Sequence, residues 1–255
     1  MTLTQWFIFF LLIQIIHGLS TWKLYIKAGR QAWEAFVPVY NAVVLMQIIN
    51  RPKWWTILLF VPIINLIMFP VVWVETCRSF GKNTYLDTAL AVLSCGLYVA
   101  YLNYTQDLSH LKDRSIEPKS SSGEWTGSIL FAIVAATLVH TYFMQPFVIP
   151  TSSLEKTLLK GDFLLVSKFH YGARLPMTAV AAPMVHDTLP KFNVPSYLKK
   201  PQIPYLRIPG FQKIKRNDIV VFNWPADTLF NMYKKADKKY EKPIDKKTNY
   251  VKRCV

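Results

Sequence analysis

Between Trp125 and Phe169 the chain reads WTGSILFAIVAATLVHTYFMQPFVIPTSSLEKTLLKGDFLLVSKF. Its first half, Trp125 to Val148, carries no Asp, Glu, Lys or Arg and has the ~20 apolar residues that a membrane-spanning helix requires. After Pro150 the character changes: Thr151-Ser152-Ser153 is a turn signal, Gly161-Asp162 is another, and Phe163 to Phe169 (FLLVSKF) is a short β-prone run. A greasy helix therefore hands over to a water-exposed, strand-bearing segment across one proline. Two serines stand at that exit, either as a polar cap at the bilayer surface or as a catalytic turn.

The rest of the chain divides about the same point. Hydrophobic residues make up 52% of the 255 and are concentrated before Pro150. Before Thr151 there are 10 Lys and Arg against 7 Asp and Glu, a net +3; from there on there are 20 against 8, a net +12. A basic water-exposed part suits nucleic acid or an anionic membrane surface. Tethering by several spans favours the lipid surface, and no zinc-finger spacing or RNA-binding aromatic signature argues for nucleic acid. The cysteines, Cys77, Cys95 and Cys254, are too scattered for a disulfide framework or a CxxC metal site. No paired histidine spacing suggests a metal, and no cofactor is expected.

Four apolar runs read as spans: Leu3 to Leu19, Trp54 to Val74, Tyr85 to Leu102, and Trp125 to Val148. The first lacks a basic leader and an AxA-like end, so it reads as a retained span and not as a cleaved signal. A weaker run, Ala35 to Ile49, contains a proline and an asparagine and reads as interfacial or re-entrant. With four spans and the N-terminus outside, Lys23, Lys27, Arg30, Arg51, Lys53, Lys112, Arg114 and Lys119 are cytoplasmic, and Arg78 and Lys82 are not. Residues 1–124 then form a multi-span region ending in a flexible cytoplasmic linker, 105–124, residues 125–148 form an anchor helix, and residues 149–255 lie outside as a partial β-rich domain.

Within that domain Ile219 to Trp224 (IVVFNW) is a second β-prone run, and Pro176 to Pro209 holds seven of the 16 prolines. So many prolines exclude helix and central strand and predict an extended excursion with edge strands at most. Asp162 and Asp218 read as turn formers ahead of strands.

A serine hydroxyl becomes a nucleophile when a base takes its proton, and a desolvated lysine can serve. Ser153 in its turn and Lys252 in the β-prone segment NYVKRCV, Asn249 to Val255, supply the two residue types. Strand alternation puts Lys252 on the same face as Cys254. Spacing alone leaves the other basic residues open.

Three segments in order resemble type I signal peptidases. IPTSSLEKTLLKGDFLLVSKFHYG is similar to the serine-bearing box of that family, KRNDIVVFNWP (Lys215 to Pro225) to the next box, and NYVKRCV to the start of the lysine box. The resemblance implies that Ser153 is the nucleophile and Lys252 the general base of a Ser-Lys dyad. It implies that the Thr151 hydroxyl assists the Ser153 backbone N–H in holding the oxyanion. The implied substrates are secretory preproteins cut after a small-x-small motif, at the extracytoplasmic (periplasmic) face of the plasma (inner) membrane. Leu154 and Lys156 depart from the methionine and proline usual there; leucine preserves the apolar volume. The turn and the later box that follow the lysine in the family are not in this sequence, so the catalytic domain is expected to be incomplete at the C-terminus.

The implied fold is thus an α-helical membrane region of about four transmembrane helices followed by a mostly-β peptidase domain. AGRQAWEAFVPVYN, the Trp-Trp-led run and CRSFGK resemble small multi-span proteins of unassigned function. The alternative to a peptidase is a truncated, non-catalytic membrane protein with an assembly or substrate-binding role. A self-cleaving regulator with the same dyad would be soluble and bind DNA, which the spans oppose.

Overall fold

The computed structural model describes residues 2–112, 114–117, 120–149, 157–185, 188–189 and 194–221. They fall into two compact units, one built from Met1–Phe143 and Arg174–Ile208, the other from Met144–Ala173 and Pro209–Val255.

The first unit opens with α1, Leu3–Lys27. Thr2 and Gln5 cap it reciprocally, the Gln5 amide donating to Thr2 Oγ1 (3.3 Å) and the Thr2 amide to Gln5 Oε1 (2.9 Å). Helix α7, Ser121–Leu138, starts on Ser120, whose Oγ accepts from the Gly123 amide (3.2 Å), and continues through a π-helical turn, Val139–Phe143. Both are apolar, expose much of their apolar surface and are long enough to cross a bilayer. An apolar helix face with no protein against it is matched to hydrocarbon.

Between them the chain makes five shorter helices: α2 (Tyr40–Ile48), α3 (Trp55–Phe60), α4 (Asn65–Ser79), α5 (Tyr85–Leu93) and α6 (Leu97–Thr105), with a 3₁₀ turn at Ala32–Ala35 ahead of α2. The expectation of four spans is not met: two helices qualify, or three if α5 and α6, bent by 118°, count as one. The Trp54 to Val74 run breaks because Pro62 removes a donor and Ile63 takes a left-handed φ of 70°. Cys95 (φ 50°) and Gly96 (φ 84°) break the next. The weak run Ala35 to Ile49 yields only the nine-residue α2, about 14 Å of helix and half a hydrocarbon core.

The core of these helices mixes apolar and polar side chains. Tyr25, Met46, Ile49 and Ile64 are fully buried, and the Tyr25 hydroxyl donates to the Asn41 carbonyl (2.7 Å). Asn103, on α6, accepts from the Leu24 amide through Oδ1 (3.0 Å) and ties α6 to α1.

Glu75, on α4 and buried, draws three arginines together: Arg51 (3.1 Å), Arg114 (2.5 Å) and Arg78 (3.5 Å). The four-span reading sets Arg78 across the membrane from Arg51 and Arg114; one carboxylate holds all three. The first part of the linker after α6, residues 107–112, is tied to the helices. Asp107 pairs with Lys27 (3.1 Å), the Leu111 amide donates to the Ser79 carbonyl (2.9 Å), and the Lys112 carbonyl accepts from Asn50 Nδ2 (2.7 Å). The remainder of this unit, Arg174–Ile208, doubles back on itself through isolated antiparallel bridges, Arg174 with Arg207, Thr178 with Gln202 and Ala181 with Tyr197. This is the extended, proline-limited excursion that the composition predicts.

In the second unit β1, Met144–Val148, pairs antiparallel with β2, Phe163–Ser167, from Met144 opposite Ser167 to Val148 opposite Phe163. The anchor helix expected to reach Val148 therefore ends at Phe143. Pro146 cannot donate in a helix but is accommodated in a two-stranded edge pair. Residues 219–221, described here, take no strand pairing; residues 222–224 of that expected strand lie outside the described residues.

Candidate functional site

Strands β1 and β2 owe their pairing to alternation. Gln145 and Phe147 on β1 turn to the less exposed side opposite Val166 and Leu164, while Val148 and Phe163 face outward as a pair. Past the last pair the ladder is extended by two backbone bonds, the Ile149 amide to the Asp162 carbonyl and the Gly161 amide to the Ile149 carbonyl, each 3.0 Å. Asp162 then closes the turn: its Oδ2 accepts from the Leu159 amide (2.8 Å), and its own amide donates to the Leu159 carbonyl (3.1 Å). The segment between residues 149 and 161 thus leaves and rejoins the ladder at one place.

That segment carries Thr151, Ser152 and Ser153. Residues 150–156 lie outside the described residues, as do Lys252 and the rest of NYVKRCV. The structure brings the two ends of the serine segment together and gives no geometry for the dyad.

Just beyond β2 the chain makes a second organised turn. Ser167 Oγ bonds His170 Nδ1 (2.6 Å), and the Gly172 amide donates to the Phe169 carbonyl (3.2 Å). The Gln212 amide reaches the His170 carbonyl (3.0 Å), and Phe211 meets Phe169 edge to face at 6.4 Å. Gly210 permits this approach: a Cβ there would come within 2.4 Å of the Gly172 nitrogen. Asp218 repeats the device of Asp162, Oδ2 accepting from the Lys215 amide (2.8 Å), and in addition accepts the Tyr171 hydroxyl (2.8 Å). Both aspartates are the turn formers that the sequence suggests. The Tyr171 tie, 47 residues away in sequence, has no local signal.

These contacts set the charges. The Lys215 N–H, then the Tyr171 hydroxyl, hold the Asp218 carboxyl below its usual range, and the Asp218 acceptor pushes the Tyr171 phenol up. Burial pushes the Lys168 ammonium, directly after β2, below its ordinary value.

Residues 122–255 match the family described as "Signal peptidase, peptidase S26", and residues 33–113 match a family of unknown function, DUF5684. Among curated proteins the chain is similar to "Signal peptidase I" of Haemophilus influenzae, 39% identical over 122 residues, 48% of this chain and 28% of that one. It is similar to "Signal peptidase I" of Rickettsia massiliae, 30% identical over 109 residues, 43% of this chain and 34% of that one. With "Signal peptidase I" of Pseudomonas fluorescens it shares 32% identity over 111 residues, 43% of this chain and 30% of that one. The chain thus spans about a third of the length of these relatives. No solved structure matches it. The matched region takes in the whole of the opening stretch and the Tyr171–Asp218 turn, and covers more than half of the chain: the chain belongs to the signal peptidase family, peptidase S26.

Proposed function

We propose that this chain carries the membrane-tethered part and the Ser-Lys dyad of a serine endopeptidase that removes N-terminal signal peptides from secreted preproteins after small-x-small motifs. The observation that carries the reading is the family match over 122–255, beginning inside a membrane-length helix and including a serine turn whose ends are closed by the β1–β2 ladder. A signal helix held in the same membrane presents its cleavage point at the bilayer surface. Ser153 follows the membrane-length helix, which ends at Phe143, by ten residues, close enough in sequence to act there.

In this mechanism Ser153 Oγ attacks the carbonyl carbon of the scissile bond while Lys252, uncharged in a desolvated setting, takes the hydroxyl proton. The Ser153 amide and the Thr151 hydroxyl face the developing oxyanion, each such donor contributing about 3 kcal/mol in the transition state. The lysine returns the proton to the leaving amine, and water then releases the acyl group by the same base. Residues from 144 on lie on the extracytoplasmic (periplasmic) side of the inner membrane, beside lipid, and the partners are preprotein signal peptides and not nucleic acid.

The test is cleavage of a preprotein with an Ala-x-Ala site by the full-length gene product in detergent. Ser153→Ala and Lys252→Ala each lower kcat/KM by at least about 10³-fold, and Ser152→Ala retains most activity. Full cleavage by Ser153→Ala sinks the assignment.

A further inference from the structure

We infer that residues 51–114 do not cross the membrane but enter and leave it twice by one face, as re-entrant hairpins α3–α4 and α5–α6 held shut at that face by the Glu75 arginine cluster.

Every segment in this region starts and finishes at the same place. Lys27, ending α1, bonds the Gln106 carbonyl (2.9 Å) and pairs with Asp107, which fixes the end of α6 beside the end of α1. Asn50, following α2, bonds the Lys112 carbonyl, and His110 Nε2 bonds the Ile48 carbonyl (2.8 Å), which brings the end of α2 there too. Arg51, ahead of α3, meets Glu75, near the end of α4, so the α3–α4 pair returns to its starting level. The Leu111 amide on the Ser79 carbonyl, and Phe80 at 5.4 Å from His110, put the start of the α5–α6 pair at the level where that pair ends. A span would separate its two ends by the ~30 Å hydrocarbon core; here ion pairs and hydrogen bonds join them.

The bends lie at depth. Pro62, between α3 and α4, offers its carbonyl to the Tyr142 hydroxyl (3.1 Å), and Phe60 packs on Phe10 at 6.1 Å. Those partners belong to the far end of α7 and the early turns of α1, opposite the arginine cluster. Helices α5 and α6 are nine residues each, about 14 Å, which reaches the bilayer middle and no further. Hydrocarbon tolerates a non-helical bend where its backbone groups find partners within the protein, and several do at these two. The Asn65 amide bonds the Val61 carbonyl (3.0 Å), the Cys95 and Gly96 amides bond the Val92 and Ala91 carbonyls (both 3.1 Å), and Ser94 Oγ takes the Tyr98 amide (2.9 Å). Asp87 on α5 accepts the Tyr98 hydroxyl of α6 (2.6 Å) and locks the two arms together.

The surface divides accordingly. Apolar side chains are exposed at the bends and along the arms, Phe60 (44%), Leu93 (82%) and Leu97 (66%) among them, and suit acyl chains. The described Lys and Arg of the region all fall at the open end, including Arg78 and Lys82. The positive-inside rule makes that face cytoplasmic, and its partner is the anionic headgroup layer of the inner leaflet. Only α1 and α7 then cross.

The experiment uses the unmodified chain. Right-side-out and inverted vesicles from expressing cells are treated with a membrane-impermeant amine-reactive ester, and the modified lysines are mapped by mass spectrometry. Lys53, Lys82 and Lys112 are all modified in inverted vesicles only, to a similar extent. Modification of Lys82 from the face opposite Lys53 makes α3–α4 a span, from the face opposite Lys112 makes α5–α6 a span, and modification of any of the three in right-side-out vesicles places the cluster outside; each overturns the inference. As a second measurement, Asn50→Cys with Lys112→Cys forms a disulfide on mild oxidation in the membrane, and failure to cross-link while both thiols react with maleimide also overturns it. Neither readout depends on peptidase activity.

Discussion

At the scale of the residue, Glu75 is the most exacting position. Its carboxylate is buried among three guanidinium groups, and removing one charge from a buried network leaves the others uncompensated, at a cost of about 3–5 kcal/mol. Glu75→Gln is therefore expected to lower the unfolding temperature in detergent well below that of Arg78→Gln, whose side chain is the most exposed of the three arginines and the most distant. Lys168 raises a different question, because burial lowers its pKa and it stands directly after β2. On the proposed mechanism Lys168→Ala keeps cleavage within several-fold of the parent, and Lys252→Ala does not. Asp218 has a depressed pKa in the fold, so its bond to Tyr171 and Lys215 is present above the unfolded carboxyl value of about 3.9 and is lost as pH falls through the lower folded value. In Tyr171→Phe the Asp218 carboxyl, followed by NMR, titrates at a higher pH than in the parent.

At the scale of the element, the serine segment depends on the turn that closes it. Gly161 has a φ of 99°, a conformation that costs other residues about 1–2 kcal/mol, and Asp162 Oδ2 holds the Leu159 amide. Gly161→Ala and Asp162→Ala are expected to lower kcat several-fold with little change in KM, and Asp162→Asn, which keeps an acceptor, restores most of it. Equal loss of kcat in Asp162→Asn and Asp162→Ala would show that the side-chain acceptor is not what matters. The element boundaries also show what a sequence conveys. The Phe163 strand and the turn aspartates are legible because a short β-prone run and its bounding Gly-Asp and Asn-Asp pairs are local signals. The end of the last span was not, because hydropathy runs on through Met144–Val148 while Pro146 and the partner strand make that piece β1.

At the scale of the whole molecule, α1 and α7 are long enough to cross a bilayer and expose apolar side chains such as Phe7, Ile16, Ile129 and Phe131, so the chain is expected to stay with membranes in alkaline carbonate and to leave them only in detergent. Release by carbonate alone would remove both helices from the bilayer. What the sequence determined by itself was chemistry carried by order and composition: a greasy half and a basic half, a serine turn straight after a membrane exit, and three boxes whose order places the chain with signal peptidases. The tertiary structure decided which apolar runs form helices long enough to be spans. Hydropathy measures how much a segment gains by leaving water, and that gain is the same for a helix that crosses and for a hairpin that turns back. Only the meeting of Arg51, Arg78 and Arg114 on Glu75, residues up to 63 positions apart in sequence, bears on the choice between the two, because one buried carboxylate brings the ends of separate segments to one place.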